Sequence, residues 1–253
     1  WGKGTDSFLA MIYERLSLMK DLLSQDGTIY LHCDWRTNSS IRHILNELFG
    51  KENFLAEITW QKIRTTKAQT KSFGNVTDRI FKYSKFNNSI YNRQSKPHDP
   101  KYIESHFKTD PETGRLFQSV SMIQMGQGPA RRFGTKMIEP PAGRHWIWSQ
   151  EKIDQGIKDG KVRFNSKGTP RKIIYLDELE GDVVDDLWDD IFPINSQAKE
   201  SVSYPTQKPE ALMERVLKAS SNKNDIVCDF FAGSGTTAAV AEKLGRKWIC
   251  SDL

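Results

Sequence analysis

Cysteine is scarce in this chain, and its cysteines lie far apart. Cys33, Cys228 and Cys250 are the only three in 253 residues, and none belongs to a C-x-x-C pair. This spacing argues against a disulfide framework and against a thiolate-bound zinc, so we expect three buried thiols in a reducing cytoplasm. The histidines also lack ligand spacing, and no metal site is predicted; they are His32, His43, His98, His106 and His145.

Long hydrophobic runs are absent as well. No segment approaches the roughly 20 apolar residues that cross a bilayer, and no secretory signal is visible, which predicts a cytoplasmic protein without a membrane partner. Lys and Arg number 37 against 32 Asp and Glu, a formal charge of +5 with a pI of about 9.0. This balance permits nucleic-acid binding without demonstrating it. The length and the 37% hydrophobic content are sufficient for a substantial core and allow two units.

Apolar periodicity places the first elements of a core. An amphipathic helix is predicted over residues 7–23, a strand over 28–33 and a second helix over 41–49. Residues 58–62 and 79–83 alternate as strands do, and we expect them to form the antiparallel edge of a sheet.

The most informative segment is Asp229-Phe-Phe-Ala-Gly-Ser-Gly-Thr-Thr237. It joins a predicted strand, 226–228, to a predicted helix, 236–244, so its glycines lie on a turn that lets a ligand approach the backbone. The free N–H groups at the helix start favour an anion. Asp252 follows the next strand, about 20 residues beyond the glycines, where a carboxylate can bind ribose hydroxyls.

This arrangement predicts an adenosine-containing cofactor, but two alternatives remain open at this point. The segment Gly233–Ala238 also satisfies the loose G-x-G-x-x-A dinucleotide pattern, and a tight strand-to-helix turn with no ligand has the same glycines.

A second loop precedes this segment. Tyr204-Pro-Thr-Gln-Lys-Pro209 leads into a predicted helix, 211–219, and Pro209 is a typical helix starter. Lys208 and Thr206 are thereby placed at the entrance of that helix, as a point charge and a hydroxyl near the start of the following strand.

Together these segments resemble the DNA amino-methyltransferases, in the group whose cofactor motif lies C-terminal to the catalytic half. The segment 204–209 is similar to the family's motif X, 229–237 to motif I, and Ile249-Cys-Ser-Asp252 to motif II. The resemblance extends to residues 26–34, 41–54 and 78–85, so it covers nearly the whole chain. It is strongest to modification subunits of restriction systems and related adenine-specific enzymes.

The resemblance implies an α/β, Rossmann-like methyltransferase fold and S-adenosylmethionine as the cofactor. Asp252 would bind the ribose hydroxyls, Phe231 would face the adenine, and the glycine turn with Lys208 and Thr206 would hold the methionine end. A dehydrogenase fragment is disfavoured because a dinucleotide requires further strands after the fingerprint, and the chain stops at Leu253. The candidate cofactor-binding residues are Thr206, Lys208, Asp229, Phe231, Gly233, Ser234, Gly235, Thr236 and Asp252.

One part of the family pattern is missing. The catalytic tetrapeptide, Asp, Asn or Ser followed by Pro-Pro and an aromatic residue, has no counterpart, since Pro140-Pro141 is flanked by Glu139 and Ala142. In this family order the tetrapeptide would lie shortly before Trp1. We therefore expect a fragment with no catalytic residue of its own, which does not methylate DNA as it stands.

The resemblance also divides the chain into three parts. Residues 1–86 would be the N-terminal part of the core, 87–200 an inserted target-recognition region, and 201–253 the cofactor-binding part. The first and last parts would lie side by side in one sheet. Within the insertion, residues 144–148, 151–157 and 160–164 predict a strand, a helix and a strand, and Trp146 and Trp148 are assigned to the core.

Basic residues in two segments that lack apolar periodicity are interpreted as contacts to DNA phosphates. The predicted partner is duplex DNA with the target base flipped out, and a restriction subunit and a second copy of the chain are further candidates. Methylation of adenine N6 is favoured over cytosine N4, and the rival hypothesis is a non-catalytic DNA-recognition subunit with the same fold. The candidate DNA-binding residues are Lys62, Arg64, Lys67, Lys71, Arg131 and Arg132.

Overall fold

The computed structural model describes residues 4–64, 72–195 and 198–252. The chain has an α/β fold and divides into two compact units, one of Trp1–Gln94 with Val183–Leu253 and one of Ser95–Asp182. The second unit lies inside the predicted insertion, 87–200, and is shorter at both ends. Across the described part of the chain, no helix combines the length and the apolar composition that crossing a membrane requires.

The first unit contains a four-stranded sheet in the order Thr28–Cys33, Thr77–Ser84, Phe54–Gln61, Leu187–Trp188. The first three strands are antiparallel, and the last pairs with its neighbour in parallel. Its helical segments are Thr5–Leu22, Asn38–Phe49, the 3₁₀ turn Lys51–Asn53, Glu210–Ser220 and Thr236–Lys243.

The two N-terminal helices cover one face of this sheet. Leu16 of the first helix and Ile41 and Leu45 of the second are at most 2% exposed, and they pack with Phe81 and Tyr83 of the sheet. Burying such side chains stabilises the fold by about 1.5–3 kcal/mol each. The predicted apolar stripes are confirmed.

The two strands predicted at the sheet edge lie inside the sheet, so that part of the prediction was wrong. Leu187–Trp188 adds beside Phe54–Gln61 and pairs Trp188 with Trp60. Both indoles are 4% exposed, and the Trp60 Nε1–H donates to the Ile191 carbonyl over 2.9 Å. The burial of two tryptophans explains why a strand so distant in sequence takes this edge.

The C-terminal segment forms a parallel β-α-β unit of Ile226–Asp229, Thr236–Lys243 and Lys247–Cys250. The elements are as predicted, but the two strands form a separate two-stranded sheet, so the expected single sheet is not observed. The helix Glu210–Ser220 connects the two sheets instead. Its Leu212 packs against the four-stranded sheet, and its Leu217 packs against the C-terminal helix.

One face of this parallel pair is open. Ile226 and Ile249 are 63% and 56% exposed, and Cys228 between them is exposed as well. The prediction of a buried thiol is therefore wrong for Cys228, and Cys250 is half-buried, whereas Cys33 is buried. Parallel strands are normally covered on both faces, so this face is unusual for such a sheet.

The second unit is built from short strands. Four of them form an antiparallel sheet in the order Val162–Phe164, Pro170–Tyr175, Leu116–Ser121, Lys108–Thr109. Two ribbons pair Arg144–Trp146 with Ile123–Met125 and Arg131–Phe133 with Lys136–Ile138. Its helical segments are Pro100–His106, Gln150–Lys158 and the 3₁₀ turn Leu176–Glu178, and short strands Ser95–Lys96 and Asp182–Val183 lie where the chain enters and leaves the unit.

The core of the second unit surrounds two tryptophans. Trp146 and Trp148 are 6% and 9% exposed and pack with Phe133 and Ile153. Their assignment to the core is confirmed. The predicted strand, helix and strand are present, but the two strands belong to different sheets because each pairs with an earlier or later segment of its own.

Candidate functional site

The turn after the strand Ile226–Asp229 is shaped by its two glycines. Gly233 and Gly235 have φ values of +49° and +76°, in the region that side chains disfavour. A Cβ on Gly233 would lie 3.2 Å from the ring of Tyr204, whereas a Cβ on Gly235 would meet no atom within 4 Å. The 204–209 loop therefore packs directly on the glycine turn, and the space at Gly235 stays open.

The Asp229 carboxylate accepts two hydrogen bonds from groups at this turn. One carboxylate oxygen accepts the backbone N–H of Phe231 over 3.0 Å, and the other accepts the hydroxyl of Thr237 over 2.6 Å. The Ser234 and Thr236 hydroxyls lie 2.9 Å apart, and no side chain caps the helix Thr236–Lys243 at its start. The helix N–H groups there remain available to a ligand.

Asp252 reaches the same turn from the neighbouring strand. Its carboxylate accepts the backbone N–H of Gly233, and the Ala232 N–H donates to the Ser251 carbonyl over 3.0 Å. Because the two strands are parallel, their carboxyl ends lie side by side, which brings together groups 19 residues apart. The structure thus joins the bend and the acid as the sequence predicted.

The 204–209 loop, which carries Lys208, contacts the start of the helix Thr236–Lys243. The Thr236 hydroxyl donates to the Lys208 carbonyl over 3.3 Å, and the Lys208 ammonium donates to the Thr206 carbonyl over 2.8 Å. Burial lowers the pKa of Lys208 from its ordinary value, and the negative charge of Asp78 opposes that shift. The Lys208 ammonium is therefore folded back on its own loop and interacts with the charge of Asp78, whereas the Lys208 carbonyl contacts the start of the helix. Thr206 is exposed.

Phe231 has a neighbour that the sequence did not indicate. The ring is 37% exposed, and the guanidinium of Arg15, from the helix Thr5–Leu22, lies over it at 5.1 Å from the centroid. An adenine that stacked on this face of Phe231 would compete with the cation. Only the tertiary structure brings the first helix to the glycine turn.

A buried charge cluster lies at one end of the four-stranded sheet, and sequence reasoning missed it. Asp78 Oδ2 is 2.9 Å from His32 Nε2, and Asp78 Oδ1 accepts from Lys62 Nζ over 2.6 Å. The Asp78 side chain is 6% exposed. Burial acts to raise the pKa of Asp78, but the bonds from His32 and Lys62 outweigh it, so the pKa is lowered and the carboxylate stays charged.

The alternation of residues along the strand Thr77–Ser84 could have indicated this cluster from the sequence. Asp78 shares a sheet face with Ile80, and an acid on a buried face requires partners. Lys62, which the sequence assigned to DNA phosphates, is one of those partners.

The other predicted DNA-binding residues that the structure describes lie in both units. The Arg64 guanidinium lies 3.2 Å from the centroid of the Phe192 ring, beside an open cleft of about 630 Å³. Lys67 and Lys71 lie outside the described residues. Arg131 and Arg132 lie on a ribbon of the second unit, where Arg132 is exposed and 3.4 Å from Asp154. Among the described residues, no three His, Cys, Asp or Glu side chains gather as a metal site would require.

The sequence of this chain is similar to those of known proteins along nearly its whole length. A family model described as a DNA methylase, of the N6 and N4 type, matches residues 2–253. The type II methyltransferase M.EcaI of Enterobacter cloacae is 32% identical over 97% of this chain and 54% of its own length. The StyLTI Mod subunit of a type III restriction-modification enzyme from Salmonella typhimurium is 26% identical over 97% of this chain and 40% of its own length.

A solved structure shows the same fold. TTHA0409 from Thermus thermophilus, a putative DNA modification methylase solved with S-adenosyl-L-methionine, matches 98% of this chain and 72% of its own at 16% identity, with a TM-score of 0.50. The fold is thus the Rossmann-like methyltransferase fold, and the chain spans about half the length of the curated relatives that it matches. Its match over residues 2–253 means that the chain belongs to the DNA methylase family.

Proposed function

We propose that the protein to which this chain belongs transfers a methyl group from S-adenosylmethionine to an exocyclic amine of a DNA base, with adenine N6 favoured. The observation that carries the proposal is the meeting of Gly233 and Asp252 at the carboxyl ends of two adjacent parallel strands. Ligands bind at the carboxyl ends of strands in open α/β sheets.

The residues present fit the cofactor. The Asp252 carboxylate can accept both ribose hydroxyls, and the open space at Gly235 admits a ligand against the backbone. The uncapped start of the helix Thr236–Lys243 suits the carboxylate of the methionine end. Lys208, whose carbonyl accepts the Thr236 hydroxyl, is the candidate cation for the same group. TTHA0409, which has the same fold, was solved in complex with S-adenosyl-L-methionine.

When bound, the cofactor supplies an electrophilic methyl group. The residues of this chain would bind and orient it: the glycine turn would lie against the ligand, Asp252 would bind the ribose and Phe231 would offer an aromatic face. Positioning of this kind supplies much of the catalysis in a direct displacement. The family tetrapeptide that would accept hydrogen bonds from the target amine has no counterpart in this chain.

The end of the four-stranded sheet beside Asp78 is the candidate surface for DNA and its flipped base. Lys62 follows the strand Phe54–Gln61, and Arg64 with Phe192 borders the cleft of about 630 Å³. Arginine and an aromatic ring are suited to phosphates and to stacked bases. Similarity to a Mod subunit makes a restriction subunit a candidate partner, and a second copy of the chain is another.

Calorimetry with S-adenosylmethionine on the chain tests the pocket. We expect wild-type binding, and an affinity about 10- to 100-fold lower in Asp252→Asn, because a charged acceptor contributes about 1.5–3 kcal/mol. Glu214→Gln is the control, since Glu214 lies on the helix Glu210–Ser220 in an exposed pair with Lys218. Equal affinity in all three proteins, or no binding by the wild type, would overturn the pocket.

Methylation profiling of host DNA with and without the full-length gene tests the activity. The proposal expects N6-methyladenine at a defined sequence, and N4-methylcytosine there would correct the target base. Donor binding by the chain, combined with no gene-dependent methylation, would instead support the non-catalytic recognition subunit.

A further inference from the structure

The ring of Tyr204 lies directly on the glycine turn, although the sequence assigned this residue no role there. A Cβ on Gly233 would be 3.2 Å from Cε1 of the ring and 3.5 Å from its hydroxyl oxygen. Gly233 is also the residue whose backbone N–H donates to the Asp252 carboxylate. The phenol and the acid therefore contact the same residue of the turn.

The Tyr204 hydroxyl is available to a ligand. It has no hydrogen-bond partner within the described part of the chain, and the residue is 43% exposed. The Tyr13 hydroxyl, by contrast, donates to Glu47 over 3.0 Å. Since a phenol O–H can both donate and accept, Tyr204 brings to the turn a polar group that the fold itself does not use.

The backbone around Tyr204 is fixed by the side chain of Gln207. Its amide accepts the Val202 N–H over 2.9 Å and donates to the Glu200 carbonyl over 2.6 Å. Ser203, immediately before Tyr204, has a φ of +59°, a conformation that residues other than glycine seldom adopt. Such conformations persist where surrounding contacts enforce them, and they cluster at segments that hold ligands. Tyr204 is thus positioned before a ligand binds, which lowers the entropic cost of binding.

The lysine of the same loop is engaged elsewhere. The Lys208 ammonium donates to the Thr206 carbonyl over 2.8 Å and interacts with the charge of Asp78. The side chain of this loop that packs on Gly233 is that of Tyr204. A ligand at the turn can therefore accept a hydrogen bond from Tyr204 without any movement of Lys208.

We propose that Tyr204 is a binding residue of the cofactor pocket and that its hydroxyl donates a hydrogen bond to the carboxylate of the methionine end. The inference rests on the proposed function, because it names a further contact to the same cofactor. Asp252 already offers the ribose hydroxyls an acceptor, whereas a carboxylate requires donors. The Tyr204 O–H and the free N–H groups at the start of the helix Thr236–Lys243 are donors of this kind.

Calorimetry with two ligands tests this inference. S-adenosylmethionine has the carboxylate, whereas 5′-methylthioadenosine has the same adenosine and no carboxylate. We expect Tyr204→Phe to bind S-adenosylmethionine about 10-fold more weakly and 5′-methylthioadenosine as tightly as the wild type does, because only a donor to a charged group is removed. A purely structural role of Tyr204 would not distinguish the two ligands, since phenylalanine keeps the ring on Gly233.

Tyr13→Phe is the matched control, because it removes the hydroxyl of a 37% exposed tyrosine in the same unit. This variant should bind both ligands as the wild type does. Lys208→Met measures the share of the lysine in the same assay. Loss of the preference for S-adenosylmethionine in Lys208→Met, with that preference retained in Tyr204→Phe, would assign the carboxylate to the lysine and overturn the inference.

Two further results would overturn the inference and leave the pocket standing, provided that Asp252→Asn binds S-adenosylmethionine more weakly than the wild type. One is wild-type affinity of Tyr204→Phe for both ligands. The other is equal weakening for both, which would place the hydroxyl on the adenosine. A wild-type chain that binds neither ligand would overturn the inference together with the pocket. Circular dichroism of each variant confirms the fold.

Discussion

The carboxylate of Asp78 lies 2.9 Å from His32 Nε2, at a position where only 6% of the acid is exposed. Lys62 bonds the other oxygen, and together these bonds hold the pKa of Asp78 below its ordinary value. A depressed carboxyl pKa contributes stability above the unfolded value of 3.8, and that stability is lost as the pH falls through the folded value.

We therefore expect Asp78→Asn to lower the free energy of unfolding at neutral pH by about 1–2 kcal/mol, and to flatten its decline below about pH 4. The loss is moderate because Lys62 and His32 are each about 30% exposed and regain water. Urea unfolding as a function of pH measures both effects. Glu104→Gln, on an exposed helix position, should change neither, and a wild-type acid limb retained in Asp78→Asn would refute the assignment.

Lys82 is a buried cation with no carboxylate partner among the described residues. It is 6% exposed, its ammonium lies over the rings of Tyr30 and Tyr91, and burial lowers its pKa to about 8. Between about pH 8 and the unfolded value of 10.5, the unfolded chain binds more protons, so stability rises with pH.

Lys82→Met should raise the free energy of unfolding at neutral pH by about 2 kcal/mol, because the buried charge is removed and its volume is kept. It should also abolish the rise between about pH 8 and 10.5. Chemical unfolding at a series of pH values measures this. A variant less stable than wild type at neutral pH would show that the contacts with the tyrosines outweigh desolvation.

Gly235→Ala tests the open space at the glycine turn. Gly235 and Gly114 share a positive φ, +76° and +71°, and an added Cβ meets no atom within 4 Å at either position. Each alanine should destabilise by about 1 kcal/mol through backbone strain. Only Gly235→Ala should weaken binding of S-adenosylmethionine, as measured by calorimetry. Equal donor affinity in the two variants would show that no ligand approaches Gly235.

Arg15→Ala tests whether the cofactor uses the ring of Phe231. The guanidinium occupies one face of that ring at 5.1 Å, and an exposed contact of this type contributes about 0.5–1 kcal/mol. If adenine takes that face, removing Arg15 should raise the donor affinity about 2- to 5-fold, whereas Phe231→Ala should lower it. Unchanged affinity in both variants would place the adenine elsewhere.

The local elements of this protein were determined by its sequence. Periodicity located the helix Thr5–Leu22 and the strand Thr28–Cys33 to within about two residues. The glycines located the turn before Thr236, and Asp252 was assigned to it from spacing alone. The turn and Asp252 belong to one β-α-β unit, where short connections leave few arrangements.

Only the tertiary structure decided which residues of distant segments contact one another. The ion pairs of Asp78, the contact of Arg15 with Phe231 and the parallel strand at Trp188 join residues 16 to over 200 positions apart. No local preference encodes such pairs, because they form only when buried area and charge from separate elements meet. The separate C-terminal sheet has the same origin, since its position is set by the packing of the helix Glu210–Ser220 rather than by strand pairing.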